Sequence, residues 1–161
     1  MSEQQQQARI LIAEDEANLR LVLQKELERL GYRVQVAPDG EAALRKLEES
    51  NVDVLLCDIN MPRMDGMELL RRVYQRPNPP EVIMLTGQAT VETAVEAMKL
   101  GAYDYLEKPF DIVEFRDCLH RALSFNKAIS ENQFLRAQLR ERVLAIHAAE
   151  VAAHKQLAEI V

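Results

Sequence analysis

The chain has 161 residues, of which 48% are hydrophobic and 29% charged, which favours one globular domain with an appendage. Its net charge of −6 argues against direct nucleic-acid binding. The sequence contains no run of about 18 apolar residues, so we predict no membrane span. The start, MSEQQQQ, lacks the basic segment and apolar core of a secretion signal, so we expect a cytoplasmic protein with a flexible tail over residues 1–8.

Short apolar runs then alternate with amphipathic stretches along the chain. In chain order the pattern predicts strand 9–13, helix 18–30, strand 33–37, helix 40–49, strand 52–57, helix 67–76, strand 81–85, helix 91–100 and strand 103–107. We expect the first helix to bury one stripe made of Leu19, Val22, Leu23, Leu27 and Leu30. The two cysteines, Cys57 and Cys118, are expected to be core residues rather than a disulfide.

The alternation predicts an α/β fold, a doubly wound, five-stranded parallel sheet with helices on both faces. After Pro109 the chain has no glycine or proline, and Asp111 with Glu114 resembles a capping box. A last helix is therefore expected to start near Asp111 and to run through most of the remaining chain. In doubly wound parallel sheets, ligands bind beyond the carboxyl ends of the strands.

Polar residues follow four of the five predicted strands. They are Glu14 and Asp15, Asp58, Thr86 and Lys108. Three acids on one rim require a cation or a raised pKa, and carboxylate oxygens without histidine or cysteine suit Mg²⁺. A carboxylate can then accept a phosphoryl group, with an ammonium and a hydroxyl stabilising its charge. The alternative for any single acid is a solvated surface residue or a helix cap, but this explains the whole set less well.

Four segments resemble the signature segments of two-component response-regulator receiver domains. They are ILIAEDE, LLCDINMPRMDG, VIMLTG and YDYLEKPF, and the resemblance covers about residues 8–125. It implies a flavodoxin-like sheet with strand order 2-1-3-4-5, Mg²⁺ as cofactor, and Asp58 as the acceptor of a phosphoryl group from a sensor histidine kinase. By the same resemblance, Asp15, Asp58 and the backbone carbonyl of Asn60 would bind the metal, with Glu14 acting through a bound water.

The resemblance also assigns roles around the phosphoryl group. Lys108 and Thr86 would stabilise it, Thr86 and Tyr105 would form the switch pair, and Asn60 with Gln88 would tune hydrolysis. It implies a cis peptide between Lys108 and Pro109. In the loop after Asp58, we interpret Asp65 as a turn or cap residue. We expect Gly66 to adopt a backbone conformation that a Cβ would disfavour.

The tail carries apolar residues at a mean spacing of about 3.6, typical of an amphipathic helix. They include Leu135, Leu139, Val143 and Ile146. We predict a receiver domain over residues 9–123 and a helical linker over 124–161. This linker would pair with a second copy in a parallel coiled-coil homodimer. The alternative is a helix that folds back on its own receiver.

The segment TGQATVETAVEAMKLGAYDYLEKPF most resembles receivers of NtrC-type, sigma-54-dependent transcription activators. Those carry an AAA+ ATPase and a DNA-binding module after such a helix, and this chain has no Walker motif. Three alternatives stay open: a stand-alone receiver acting through protein binding, an unphosphorylated scaffold, and a phosphatase with an aspartyl nucleophile. The haloacid-dehalogenase type of phosphatase would need an acid where this chain has Asn60. We therefore expect a signalling domain that assists its own phosphorylation and dephosphorylation rather than an enzyme.

Overall fold

The computed structural model describes residues 8–87, 90–130 and 133–160, with side chains described for 8–87, 90–126 and 138–153. The strands are β1 Arg9–Ala13, β2 Arg33–Ala37, β3 Val54–Asp58, β4 Glu81–Thr86 and β5 Asp104–Glu107. The helices are α1 Ala17–Arg29, α2 Gly40–Glu49, α3 Gly66–Tyr74, α4 Val91–Leu100, α5 Ile112–Ser130 and α6 Gln133–Ile160. The predicted alternation is confirmed, with bounds that shift by at most two residues before α5.

The five strands form one parallel sheet in the order β2-β1-β3-β4-β5, which confirms the predicted fold class. Every residue of β3 and β4 is buried, because helices cover both faces of the sheet. The parallel arrangement places all five carboxyl ends on one edge. The residues that follow the strands therefore converge there.

Helix α1 buries a narrower stripe than the sequence pattern predicts. Leu23 and Leu27 are buried, whereas Val22 is 61% exposed, so the prediction for Val22 is wrong. Successive helical residues are about 100° apart, and a stripe centred on Leu23 and Leu27 leaves Val22 at its side. Leu21 is also exposed, which gives α1 two neighbouring apolar side chains on its outer surface.

Two aspartate side chains and a glycine define ends of three helices. Asp39 caps α2 by accepting a hydrogen bond from the Ala42 amide at 2.8 Å. Asp65 caps α3 in the same way from the Glu68 amide at 2.9 Å, which confirms its interpretation as a cap residue. Gly101 ends α4 with φ of 117°, a conformation that favours glycine.

The C-terminal region differs from the prediction. Two helices occupy it, α5 and α6, and α6 packs mainly against α4 while also contacting α5. The packing shows that the prediction of a helix projecting away from the receiver is wrong, and it matches the alternative of a helix that folds back on its own receiver. Helix α5 also runs across residue 123, the predicted boundary of the receiver. A helix packed against α4 lies near the edge strand β5, and such edges are commonly covered in natural proteins.

Two further expectations concern the interior and the membrane. Cys57 and Cys118 are both buried and free, as predicted. Among the helices that the structure describes, none has the length and apolar content needed to cross a bilayer.

Candidate functional site

The acids, hydroxyl and amine predicted from the strand ends do meet at one edge of the sheet. Asp58 ends β3 and Thr86 ends β4, and they are 4% and 2% exposed. Glu14 follows β1 and is fully buried, whereas the neighbouring Asp15 is exposed. Lys108 follows β5 and is half-buried. The sequence thus identified this cluster correctly as a spatial group.

Lys108 lies between the two buried acids. Its Nζ is 2.5 Å from Oε1 of Glu14 and 3.5 Å from Oδ1 of Asp58. The backbone amide of Lys108 donates to the Thr86 carbonyl at 2.6 Å, which fixes the start of its side chain beside β4. The peptide bond between Lys108 and Pro109 is cis, as the resemblance implied.

Backbone and arginine contacts hold the acidic turn after β1. The Glu14 amide donates to the Ala37 carbonyl at 3.1 Å, which ties the turn to β2. Nη1 of Arg20 donates to the carbonyls of Glu14 at 2.8 Å and Asp15 at 3.4 Å. Arg20 could not be predicted from the sequence, because an arginine within a helix carries no signal for a contact with backbone carbonyls.

The loop after Asp58 passes close to the site. The Asn60 amide donates to Oδ1 of Asp58 at 3.3 Å, and Asn60 itself is exposed. A Cβ on Gly66 would lie 2.2 Å from the Asp58 carbonyl oxygen, closer than any real contact. The backbone of Gly66 does not lie in the left-handed region, so the expected conformational reason is wrong. Glycine is needed here because two backbones approach closely.

The pKa values of Asp58 and Lys108 follow from their burial and from the excess of carboxylates over ammonium groups at the site. Burial, the hydrogen bond with Glu14 and the charge of Glu14 raise the pKa of Asp58 to about 7, although Lys108 and the Asn60 amide oppose the rise. Burial alone would lower the pKa of Lys108, but its hydrogen bond to Glu14 and the charge of Asp58 outweigh burial and raise it. The Asp58 carboxyl therefore holds its proton to a higher pH than an ordinary aspartate does.

The three acids fit a hard divalent cation. One carboxylate oxygen from each of Glu14, Asp15 and Asp58 lies within 4.8 Å of the others. Oxygen ligands of this kind suit Mg²⁺, which keeps several of its waters when protein carboxylates bind it. Burial and the charge of Glu14 raise the pKa of Asp58, and a bound cation would offset both effects.

The predicted switch residues lie on adjacent strands. In the pairing of β4 with β5, Thr86 is opposite Glu107 and Tyr105 is opposite Met84. Tyr105 is half-buried and packs against the apolar cluster that includes Met98 of α4. Gln88, expected to tune hydrolysis, lies outside the residues that the structure describes.

One buried ion pair was not anticipated. Glu81 begins β4 and is fully buried, and Nη1 of Arg140 on α6 lies 2.7 Å from its Oε1. The sequence feature that could have indicated this pair is the acid at the start of a strand that is buried on both faces, because a buried charge requires a cation. Its partner, 59 residues further along the chain, cannot be found from local pattern.

The chain matches one known protein family over more than half of its length. A family model described as "Response regulator receiver domain" matches residues 10–120. The "Regulatory protein AtoC" of Escherichia coli is 39% identical over 131 residues, which cover 81% of this chain and 28% of the relative. The "DNA-binding transcriptional regulator NtrC" of the same species is 38% identical, with 71% and 24% covered. The chain spans less than a third of either relative's length.

Solved structures agree with the sheet topology. The receiver domain protein from Clostridium thermocellum is 32% identical with a TM-score of 0.71, covering 76% of this chain and 98% of that chain. NtrX from Brucella abortus, in complex with ATP, is 33% identical with a TM-score of 0.73. That match covers 80% of this chain but 30% of NtrX.

Proposed function

Because the chain belongs to the response regulator receiver domain family, we propose that Asp58 accepts a phosphoryl group from a sensor histidine kinase. The observation that carries the proposal is the buried Asp58 carboxylate, 3.5 Å from the Lys108 ammonium and beside two further acids. The chain is a signalling domain of two-component systems, and the kinase would be its phosphodonor.

In the transfer, an Asp58 carboxylate oxygen forms the bond to phosphorus. The bond between phosphorus and the donor's imidazole nitrogen breaks, and its electron pair stays on nitrogen. Lys108 and the Thr86 hydroxyl would stabilise the negative charge on the phosphoryl oxygens. The ion pair between Lys108 and Glu14 supports this role, because it holds the ammonium at the rim before the phosphoryl group arrives.

Mg²⁺ would be held by Asp15, Asp58 and the Asn60 carbonyl, with Glu14 acting through a bound water. The metal would neutralise phosphoryl oxygens and let a carboxylate attack an anionic donor. The exposure of Asp15 favours this arrangement, because a metal on its side of the site remains open to a donor. Glu14 is already bonded to Lys108, which favours the indirect role for Glu14.

The kinase requires a surface beside the site. Leu21 and Val22 of α1 are 48% and 61% exposed, and Ile112 and Val113 at the start of α5 are 42% and 57% exposed. Both helices begin just after residues that contribute to the carboxyl edge of the sheet. Adjacent exposed apolar pairs of this kind suit a protein partner rather than a free small phosphodonor.

The output is proposed to be a sigma-54-dependent transcription activator with an AAA+ ATPase and a DNA-binding module in a longer parent. Similarity to a relative named a DNA-binding transcriptional regulator supports this output. The alternative is a stand-alone receiver that acts by binding another protein. The length of the parent gene distinguishes the two.

A homodimer through the C-terminal helix is part of the proposal. Of the predicted stripe, Leu139 and Ile146 are 44% and 59% exposed, Val143 is half-buried, and the Leu135 side chain lies outside the described residues. Leu139 and Ile146 are seven residues apart, so they share one side of α6. They support pairing with a second copy through the outer side of α6.

Intact mass spectrometry tests the phosphoacceptor. The wild type treated with acetyl phosphate and Mg²⁺ should gain the mass of one phosphoryl group, and excess chelator should prevent this. Asp58→Asn should gain nothing, whereas Asp65→Asn should label normally, because asparagine also caps helices well. Equal labelling of Asp58→Asn would refute the assignment. Continuous release of phosphate without accumulation of labelled protein would favour the phosphatase alternative.

A further inference from the structure

Helix α6 is held against the receiver by a buried charge. The Glu81 carboxylate is fully buried at the start of the interior strand β4, where an uncompensated charge would be strongly unfavourable. Its cation is Arg140 of α6, whose side chain is 13% exposed. Burial lowers the pKa of Arg140 to about 10, so it stays charged at neutral pH. The receiver core therefore contains an acid whose charge is compensated by the added helix.

Arg140 makes three further contacts, and together with Glu81, Tyr74 and Gly101 it forms what we call the Arg140 cluster. Its guanidinium lies over the Tyr74 ring, 4.3 Å from the ring centroid. Nη2 donates to the Tyr74 hydroxyl and, at 3.3 Å, to the Gly101 carbonyl. The Arg140 cluster thus joins α6 to the ends of α3 and α4, with geometry that lysine could not reproduce.

Further along α6 the contacts reach the β5 edge. The His147 ring lies 5.8 Å from that of Tyr103, and Val151 is 8% exposed in the cluster that contains Met98. Tyr105 packs against the same cluster. A groove of about 600 Å³ lies between this part of α6 and β5, lined in part by Tyr105, His147 and Val151. The packing of α6 is therefore less complete beside Tyr105 than at the Arg140 cluster.

We propose that α6 is an intramolecular cover of the α4–β5 face, fixed by the Arg140 cluster, and that phosphorylation of Asp58 weakens its docking. This inference rests on the proposed function of Asp58. The connection between the site and the cover is short. Lys108 contacts Asp58, its amide is bonded to the Thr86 carbonyl, and Thr86 pairs across to β5, the strand of Tyr105.

The energetic condition is that the phosphoryl group makes different contacts in the covered and open states. Movement of Lys108 and Thr86 toward the phosphoryl oxygens would change the packing of β5 and Tyr105. Tyr105 packs against the cluster that contains Val151, so a change at Tyr105 alters the surface on which α6 packs. Linkage is reciprocal, so loosening α6 should in turn strengthen binding of a phosphoryl mimic at Asp58.

Amide hydrogen exchange of residues 138–153, with and without beryllofluoride and Mg²⁺, tests the cover. Fluorine NMR on the same samples reports whether beryllofluoride is bound. In the wild type, the bound mimic should speed exchange in this segment by on the order of fivefold or more. Arg140→Gln should exchange rapidly without the mimic and bind it more tightly by a comparable factor. Arg142→Gln is the matched control, because Arg142 is exposed on the same helix, and it should behave as the wild type.

A buried Glu81 without its partner would weaken the fold, so the double variant Glu81→Leu/Arg140→Leu provides a second measurement. Protection of the β3 and β4 amides reports whether either variant is folded. Bound beryllofluoride with unchanged exchange over residues 138–153 would overturn this inference and leave the phosphoacceptor proposal intact. Absence of any bound fluoride signal would overturn the phosphoacceptor proposal and the coupling together. Slow, wild-type exchange in both folded Arg140 variants would show that the Arg140 cluster does not hold α6.

Discussion

Removing the charge of Asp58 should stabilise the metal-free protein at neutral pH. Asp58 and Glu14 are buried side by side, and among the side chains that the structure describes, Lys108 supplies the one ammonium in contact with both. We expect Asp58→Asn to unfold at a higher urea concentration than the wild type in the presence of chelator. Asp58, the proposed phosphoacceptor, would then be a residue that lowers the stability of the folded state.

The magnitude and its pH dependence follow from the raised pKa. Burial and the contact with Glu14 raise the pKa of Asp58 from 3.8 to about 7, which corresponds to about 4 kcal/mol at most. Glu14 and Lys108 share the charge of the site, so we expect about 1–3 kcal/mol from the substitution. Between pH 4 and 7 the folded state holds the proton and the unfolded state has lost it. The stability of the wild type therefore falls through this range relative to the variant.

Urea unfolding at pH 4.5, 6 and 7.5 measures this difference. The advantage of Asp58→Asn should be small at pH 4.5 and reach its full value above pH 7. Asp117→Asn, an exposed aspartate on α5, is the control and should show little change at any pH. Saturating Mg²⁺ should stabilise the wild type more than Asp58→Asn and so reduce the gap. A variant that is less stable than the wild type at pH 7.5 in chelator would refute the reasoning.

Three other substitutions, with Gly87→Ala as a control, separate metal binding, loop packing and switching. Asp15→Asn should retain the wild-type unfolding midpoint but weaken Mg²⁺ binding by at least about tenfold, measured by titration calorimetry. Gly66→Ala should lose about 2–4 kcal/mol in urea unfolding, because its Cβ would lie 2.2 Å from the Asp58 carbonyl oxygen. Gly87→Ala, where a Cβ meets nothing within 4 Å, should change little, and equal losses would contradict the packing argument. Thr86→Ala should still label with acetyl phosphate but lose the phosphorylation-induced change in tyrosine spectra, and a full change would exclude the Thr86 route.

The sequence was sufficient for the features that depend on neighbouring residues. Alternating apolar runs located the strands, and a parallel sheet places its carboxyl ends on one edge, so Asp58 and Thr86 could be expected near each other. Caps such as Asp39 are local, because the acceptor and the amide are three residues apart. The order of the strands came from resemblance, since alternation alone does not fix which strands are neighbours.

Features set by contacts between distant residues could not be predicted in this way. Gly66 is required by the approach of the Asp58 backbone, which spacing along the chain does not reveal. The partner of Glu81 is supplied by α6. The apolar pattern on α1 predicted the helical period correctly but predicted too wide a buried stripe. The neighbouring elements decide how much of an apolar stripe is covered, and they leave Val22 exposed.

The C-terminal helix shows how one amphipathic pattern can serve two surfaces. Leu139 and Ile146 gave the periodic signal that predicted pairing, and both lie exposed on the docked helix. Arg140 and Val151 lie on the side that contacts the receiver. Val143, between the two exposed residues in sequence, is half-buried in this arrangement. A second copy that needs only Leu139 and Ile146 can therefore bind while α6 covers its receiver. A second copy that also needs Val143 must compete with the docking of α6 on its own receiver. Release of α6 would therefore favour the dimer that buries all three residues.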